Sequence, residues 1–147
     1  ARFADTFGAA PGQAPVSRIH GDYHLGQLLV RPDGRYSVID FEGEPARPLA
    51  ERRLPSSPLR DVAGMLRSLD YAARSVADEA DAFDAQAWLG RARNAFLAAY
   101  GGVGHDEQSL LDAFELEKAC YEVRYEAGNR PGWLWLPLAA VERLALE

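Results

Sequence analysis

Residues 20–27 read HGDYHLGQ, and residues 39–42 read IDFE. Between these two motifs lie two short apolar runs, LLV at 28–30 and YSVI at 36–39, separated by RPDGR at 31–35. Proline presets φ for a turn and glycine supplies a positive φ, so the linking residues predict a turn and the two runs predict a β-hairpin. The two polar motifs therefore flank a hairpin, and we expect them to meet at its open end.

The residue types in the two motifs suit phosphoryl transfer. That reaction needs a carboxylate to orient and deprotonate the attacking hydroxyl, and oxygen ligands that hold Mg²⁺ on the phosphates. Asp22, Gln27 and Asp40 supply a first carboxylate, an amide and a second carboxylate. A surface loop or a strand-end cap explains each of them alone, but the joint pattern favours phosphoryl transfer.

Two histidines in the first motif raise the alternative of a zinc site. His20 and His24 have the i, i+4 spacing of a zinc-binding pair. Gly21 between them is a poor helix residue, and the glutamate of an HExxH motif is missing. Zinc binding is therefore the weaker interpretation of these histidines.

The rest of the chain predicts a helical bundle. Residues 43–58 hold four prolines and predict a loop, and Ser57-Pro58 has the residue types of a helix N-cap and first position. Apolar residues recur at helical spacing after residue 58, over 84–100 and over 106–127, and Pro137 is predicted to open a short final helix. We expect a linker or coil at 1–16 and one α+β domain at 17–147.

Composition limits the classes of function. Hydrophobic residues make up 48% of the chain and charged residues 26%, as in globular proteins. The net charge of −6 argues against a nucleic-acid partner, which would require a basic surface. The single cysteine, Cys120, excludes an intrachain disulfide and favours a cytoplasmic location. No apolar run approaches the ~20 residues that cross a bilayer, so no membrane association is expected.

HGDYHLGQ followed by IDFEGEP resembles the catalytic loop and metal-binding segment of maltokinases, relatives of the aminoglycoside phosphotransferases and, more distantly, of protein kinases. The likeness continues through LAERR at 49–53, SPLRDVAGMLRS at 57–68 and RPGWL at 130–134. It implies the C-terminal lobe of a protein-kinase-like α+β fold, a short β-hairpin plus a mostly helical bundle. The N-lobe is absent from the chain, and we expect it to belong to the rest of the same polypeptide, with an N-lobe that comes from elsewhere as the alternative.

The resemblance also assigns roles to residues. It implies that Asp22 is the catalytic base and that Gln27 and Asp40 bind Mg²⁺, with Glu42 adding charge at the metal or bonding a nearby loop. It implies that His20 and Asp61 support the catalytic loop. Carbohydrate sites use aromatic faces with a few polar groups, so the candidate acceptor residues are Lys118, Tyr121, Glu122 and Tyr125 on one helical stripe, with Trp133, Trp135 and His24.

Simpler explanations remain open for two of these assignments. Asp61 is equally explained as a first-turn acid that the helix dipole favours. The polar and aromatic stripe after residue 117 is also explained by core packing together with an i, i+4 pair between Lys118 and Glu122.

The function that the resemblance implies is ATP- and Mg²⁺-dependent phosphorylation of a sugar, with maltose to maltose 1-phosphate as the main expectation. A glucosamine or aminoglycoside kinase of the same fold is the alternative. A non-catalytic docking lobe, for example in a trehalose synthase fusion, is disfavoured by the intact Asp22, Gln27 and Asp40. Acidic residues after position 110 are offset by basic ones, which favours a neutral disaccharide over a cationic amino sugar. We expect the chain alone to be inactive.

Overall fold

A β-hairpin leads into a mostly helical bundle, which makes the fold α+β. The computed structural model describes residues 16–77 and 84–146. Strand β1, Leu28–Val30, pairs antiparallel with β2, Tyr36–Val38, and Leu28 lies opposite Val38. The hairpin predicted from the sequence is therefore present. The coil predicted at 1–16 lies, apart from Val16, outside the described residues.

Five α-helices lie in the described ranges. They are α1 (Leu49–Arg52), α2 (Leu59–Ala77), α3 (Ala85–Tyr100), α4 (His105–Asn129) and α5 (Trp135–Leu146). None of these helices combines the length and apolar character that a membrane span requires.

Two predicted boundaries were wrong, and proline explains both. Residues 43–58 were predicted as a plain loop, but Pro48 precedes the single turn of α1, because its fixed φ suits the start of a helix. The last helix was predicted to open at Pro137 but begins two residues earlier, at Trp135. Proline is tolerated in the first turn of a helix, where its missing N–H needs no partner.

The main core lies where α2 packs against α3 and α4. The α2 residues at helical spacing are buried, with Leu66 fully enclosed and Val62 and Leu69 beside it. From the other helices, Leu89 and Leu111 complete the centre of this cluster. A second, smaller cluster joins α4 to α5. Helix α4 belongs to both clusters, so it links the packed pair of α2 and α3 to α5.

Charged side chains are buried between α2 and α4. The Arg67 guanidinium is 1% exposed and donates to Asp70 (2.6 Å) and to Glu122 (2.7 Å). The i, i+4 pair between Lys118 and Glu122 was therefore wrong, because Arg67 of the neighbouring helix holds the Glu122 carboxylate. Burial raises the pKa of Glu122 above its ordinary value, although the attraction of Arg67 acts against this shift.

Candidate active site

The HGD loop, residues 20–27, and the IDFE segment, residues 39–42, meet at the open end of the hairpin. The Gln27 amide nitrogen donates to Asp40 Oδ2 at 3.1 Å, and the Ile39 N–H donates to the Gln27 carbonyl at 3.0 Å. Asp40 has a φ of 61°, the one positive φ of a non-glycine residue in the described ranges. Aspartate tolerates this conformation better than most residues. The hairpin thus brings the amide of Gln27 and the carboxylate of Asp40 together.

Asp61, in the first turn of α2, holds the start of the HGD loop. Its two carboxylate oxygens accept the backbone N–H groups of His20 (2.7 Å) and Gly21 (2.8 Å). Hydrogen bonds from amides to a carboxylate are stronger than those to a neutral acceptor. Asp61 therefore makes contacts beyond those that a first-turn acid makes with its own helix, and it fixes the backbone next to Asp22.

Two further positions of α2 contact the same loop. Ser68 Oγ accepts the Leu25 N–H at 3.0 Å. A Cβ added to Gly64 would lie 2.6 Å from the Tyr23 carbonyl oxygen, so only glycine allows the loop to approach this closely. Positions 61, 64 and 68 share one face of the helix. That face of α2 is the support on which the HGD loop lies.

His20 connects the HGD loop to the IDFE segment from the inside. Its Nε2 lies 2.7 Å from the Ile39 carbonyl, and its Nδ1 accepts the Asp22 N–H at 3.3 Å. A carbonyl only accepts, so Nε2 carries the proton and Nδ1 is the acceptor. The ring is buried, with the Phe41 ring centre 4.8 Å away. Both nitrogens of His20 are thus engaged within the protein, which overturns the zinc alternative for His20 and His24.

Asp22 lies at the wall of a cavity of about 530 Å³, hereafter the Asp22 cavity. The HGD loop, the segment 43–56, and α2 and α4 line this cavity. Asp22 Oδ1 lies 3.1 Å from the Lys118 ammonium of α4, and Oδ2 lies 3.9 Å from His24 Nε2. Asp22 is partly exposed, so its carboxylate is accessible from the cavity.

Sequence reasoning missed Glu44, whose buried carboxylate lies beside Asp22. Lys118 Nζ donates to Glu44 Oε1 at 2.7 Å, and Arg47 Nε donates to Glu44 Oε2 at 3.2 Å. Glu44 stands two residues after Glu42 in the quoted FEGEP stretch, but nothing in the spacing shows that Glu44 is buried and Glu42 exposed. Burial would lower the pKa of Lys118, but attraction to Asp22 and Glu44 outweighs it and raises that pKa above its ordinary value.

Ion pairs continue from Glu44 along the cavity wall. Arg47 Nη2 donates to Glu117 Oε1 at 2.7 Å. Arg60 Nη1 lies 2.9 Å from Glu117 Oε2, an ion pair without hydrogen-bond alignment. Glu117 precedes Lys118 on α4, so the segment after the IDFE motif is joined to this helix at two neighbouring positions.

The donor set at the end of the hairpin fits Mg²⁺. A carboxylate oxygen and an amide oxygen are hard ligands, and Mg²⁺ in kinases takes its remaining ligands from phosphates and water. Asp40 and Gln27 supply one of each. In the described residues, no group of three or more His, Cys, Asp or Glu side chains is placed to hold a metal ion. Glu42, predicted as a further ligand, is exposed.

The residues predicted to bind the acceptor are dispersed. Tyr121 lines the Asp22 cavity, and His24 lies beside Asp22. Tyr125 stacks on Tyr121 at a centroid distance of 6.3 Å, and Trp133 lies further along, under the Arg130 guanidinium. These two aromatic residues are not in the lining of the cavity within the described part of the chain. Glu122, held by Arg67 behind α4, is also absent from that lining.

No protein-family model matches the chain. Curated proteins do match it: a glucosamine kinase of Streptacidiphilus jiangxiensis is 36% identical over 92% of this chain, and one of Mycolicibacterium smegmatis is 37% identical over 90%. Both of these relatives are glucosamine kinases. The chain spans about a third of their length, 34% and 35% respectively.

Solved structures give the same result. One crystal form of a glucosamine kinase superposes on 99% of this chain and 38% of its own length, with a TM-score of 0.78 and 32% identity. A glucosamine kinase in complex with glucosamine, ADP and inorganic phosphate has a TM-score of 0.77 at 32% identity, over 97% of this chain and 37% of its own length. The relatives support the predicted kinase-like fold, but they give no support to maltose as acceptor or to a trehalose synthase fusion.

Proposed function

We propose that this chain is the catalytic and metal-binding lobe of an ATP-dependent sugar kinase, with glucosamine as the first candidate acceptor. The observation that carries the proposal is the arrangement of Asp22, Gln27 and Asp40 around one loop and one hairpin end, in a chain whose relatives are glucosamine kinases. The proposal includes the assignment of residues 17–147 to one domain and the roles given below to individual residues.

Asp22 is the proposed base. Its carboxylate opens onto the Asp22 cavity, where an acceptor hydroxyl can reach it, and a base must lie within hydrogen-bond reach of the proton that it removes. Asp61 accepts the backbone N–H groups of the two residues before Asp22, and His20 accepts the N–H of Asp22 itself. Their contribution is to fix the geometry, since phosphoryl transfer depends mainly on positioning.

Asp40 and Gln27 would hold Mg²⁺. When bound, the metal neutralises charge on the phosphates of ATP. A hydrogen bond from the Gln27 amide and the pairing of β1 with β2 hold Asp40 in its position. A further part of the natural protein is proposed to cover the nucleotide, because the chain spans only about a third of its relatives.

Two observations bear on the identity of the acceptor. The names of the relatives favour glucosamine. The wall of the Asp22 cavity favours a neutral sugar such as maltose as a second candidate, because its five basic side chains outnumber its four acidic ones and leave no excess negative charge for a cationic amino sugar. The basic residues are Arg47, Arg52, Arg60, Lys118 and Arg124, and the acidic residues are Asp22, Glu44, Glu51 and Glu117.

A substrate panel on the full-length natural protein tests the proposal. We expect ADP release with glucosamine, and a kcat/KM for glucosamine at least about tenfold above that for maltose, glucose or kanamycin, a gap of about 1.4 kcal/mol. A preference for maltose of that size would transfer the assignment to the second candidate. No turnover with any of these sugars would contradict the proposed class.

Two substitutions in the same protein test the roles of the carboxylates. Asp22→Asn should lower kcat by at least about 100-fold with little change in the KM for ATP, because asparagine cannot accept the proton. Asp40→Asn should abolish turnover and also weaken Mg²⁺-dependent nucleotide binding, because an amide is a poorer ligand for the metal. A kcat near that of the wild type in the Asp22 variant would rule out its role as base.

A further inference from the structure

One lysine bridges two carboxylates at the wall of the Asp22 cavity. Lys118 is the only lysine among the 16 Lys and Arg residues of the sequence, and it lies 96 positions from Asp22 along the chain. Its ammonium lies 3.1 Å from Asp22 Oδ1, 2.7 Å from Glu44 Oε1 and 4.8 Å from the centre of the Tyr121 ring. An ammonium carries its three N–H donors on one nitrogen, so Lys118 can donate to two carboxylates from that one atom. A guanidinium instead distributes its donors over a planar group of three nitrogens.

Lys118 donates to only one of the two carboxylate oxygens of Asp22. Oδ1 accepts from Lys118, whereas Oδ2 lies 3.9 Å from His24 Nε2, too far for a hydrogen bond. We propose that Lys118 is a positioning residue, which holds Oδ1 so that Oδ2 is directed to the acceptor hydroxyl. This inference rests on the proposed function, because it requires Asp22 to be the base.

The surroundings keep Lys118 in place. Glu44, its second partner, is buried and is held from the other side by Arg47, and Arg47 in turn bonds Glu117 on the same helix as Lys118. Since its pKa is raised, Lys118 stays protonated throughout the neutral range. The ammonium is thus a fixed cation that links the HGD loop to α4.

The test uses the full-length natural protein with Lys118→Met, which removes the charge but keeps an unbranched side chain. We expect kcat for the sugar to fall by roughly 100-fold, the cost of a misplaced catalytic group, with the KM for ATP within about twofold of wild type. Arg91→Met removes one positive charge from the exposed surface of α3 and should leave both constants unchanged. Lys118→Arg, which keeps the charge, should retain more activity than Lys118→Met and is the variant to use if the methionine variant does not fold.

A double-mutant cycle separates positioning from general structural support. In an Asp22→Asn background there is no base left to position, so adding Lys118→Met should not slow the residual rate further. If Lys118 only supports the fold, the second substitution will slow that rate by the same factor as it slows the wild type, and the inference will be wrong. A fall in kcat of less than about threefold for Lys118→Met alone will also overturn it.

A crystal structure of the Lys118→Met protein decides the inference without reference to turnover. We expect the Asp22 carboxylate to adopt another rotamer, because nothing then holds Oδ1. An unchanged Asp22 side chain would overturn the positioning role, even if the wild type phosphorylates none of the sugars tested. Inactivity of the wild type would contradict the proposed function alone.

Discussion

Gly64 shows how a residue without a side chain can determine the geometry of a catalytic loop. The helix face that supports the HGD loop consists of a carboxylate at Asp61, a hydroxyl at Ser68 and, between them, the bare backbone of Gly64. The polar residues fix the loop through its N–H groups, and the glycine sets the distance at which the Tyr23 carbonyl lies. A larger residue at Gly64 would push the loop away and Asp22 with it.

Gly64→Ala should therefore destabilise the protein and slow the reaction. The added Cβ would lie 2.6 Å from a backbone oxygen, so the loop must shift, and overpacking of this kind costs about 1–3 kcal/mol. Gly90→Ala in α3 is the matched control, because a Cβ there meets nothing within 4 Å and alanine favours a helix by about 0.5–1 kcal/mol. Urea unfolding of both variants gives the comparison. Equal or higher stability of Gly64→Ala would contradict the close approach.

At the scale of the elements, α2 and α4 are joined by buried ions as well as by apolar contacts. Arg67 has one partner on its own helix, Asp70, and another on α4, Glu122. Burial by itself would raise the pKa of Asp70, but Arg67 and Arg74 outweigh it and lower that pKa below its ordinary value. Both side chains of the Arg67–Asp70 pair are 1% exposed, so ion-pair partners rather than water stabilise these two charges.

Arg67→Met tests this dependence. Removal of Arg67 leaves the Glu122 carboxylate without its cation and leaves Asp70 with Arg74 as its remaining partner, and a broken buried pair costs about 3–5 kcal/mol. Arg91→Met, on the exposed surface of α3, should change the free energy of unfolding by no more than about 0.5 kcal/mol. Chemical denaturation of both variants measures the difference. A loss below about 1 kcal/mol for Arg67→Met would show that the network contributes little.

The hairpin and the helices were predictable because their signals are local. Turn residues at 31–35 and apolar spacing in α2 act within a few positions, and the structure has both elements. The partners of α4 were not predictable in this way. Helical spacing suggested that Lys118 pairs with Glu122, but it pairs with residues 74 and 96 positions away. Periodicity gives the face of a helix on which a charge lies, and tertiary packing decides what meets it.

At the scale of the whole molecule, one side of the hairpin is open. Val30, Tyr36 and Phe41 are all more than half exposed, on the β-strands or the IDFE segment. Val30 and Tyr36 lie opposite each other on the two strands, and neighbouring exposed apolar side chains indicate contact with a ligand or with another part of a protein. The relatives are about three times as long as this chain, and we propose that a further part of the natural protein covers this surface.

We therefore predict that the 147-residue chain alone has no measurable sugar kinase activity. Asp22 and Asp40 are in place, but phosphoryl transfer depends on holding the nucleotide in line with the acceptor, and the exposed hairpin surface alone offers little to enclose it. The measurement is sugar-dependent ADP release by the chain and by the full-length natural protein, at equal concentration and with saturating Mg²⁺ and ATP. The full-length Asp22→Asn protein gives the background rate. Turnover by the chain above that background would mean that these residues bind and align the nucleotide by themselves, and the proposed covering role of the remaining polypeptide would be wrong.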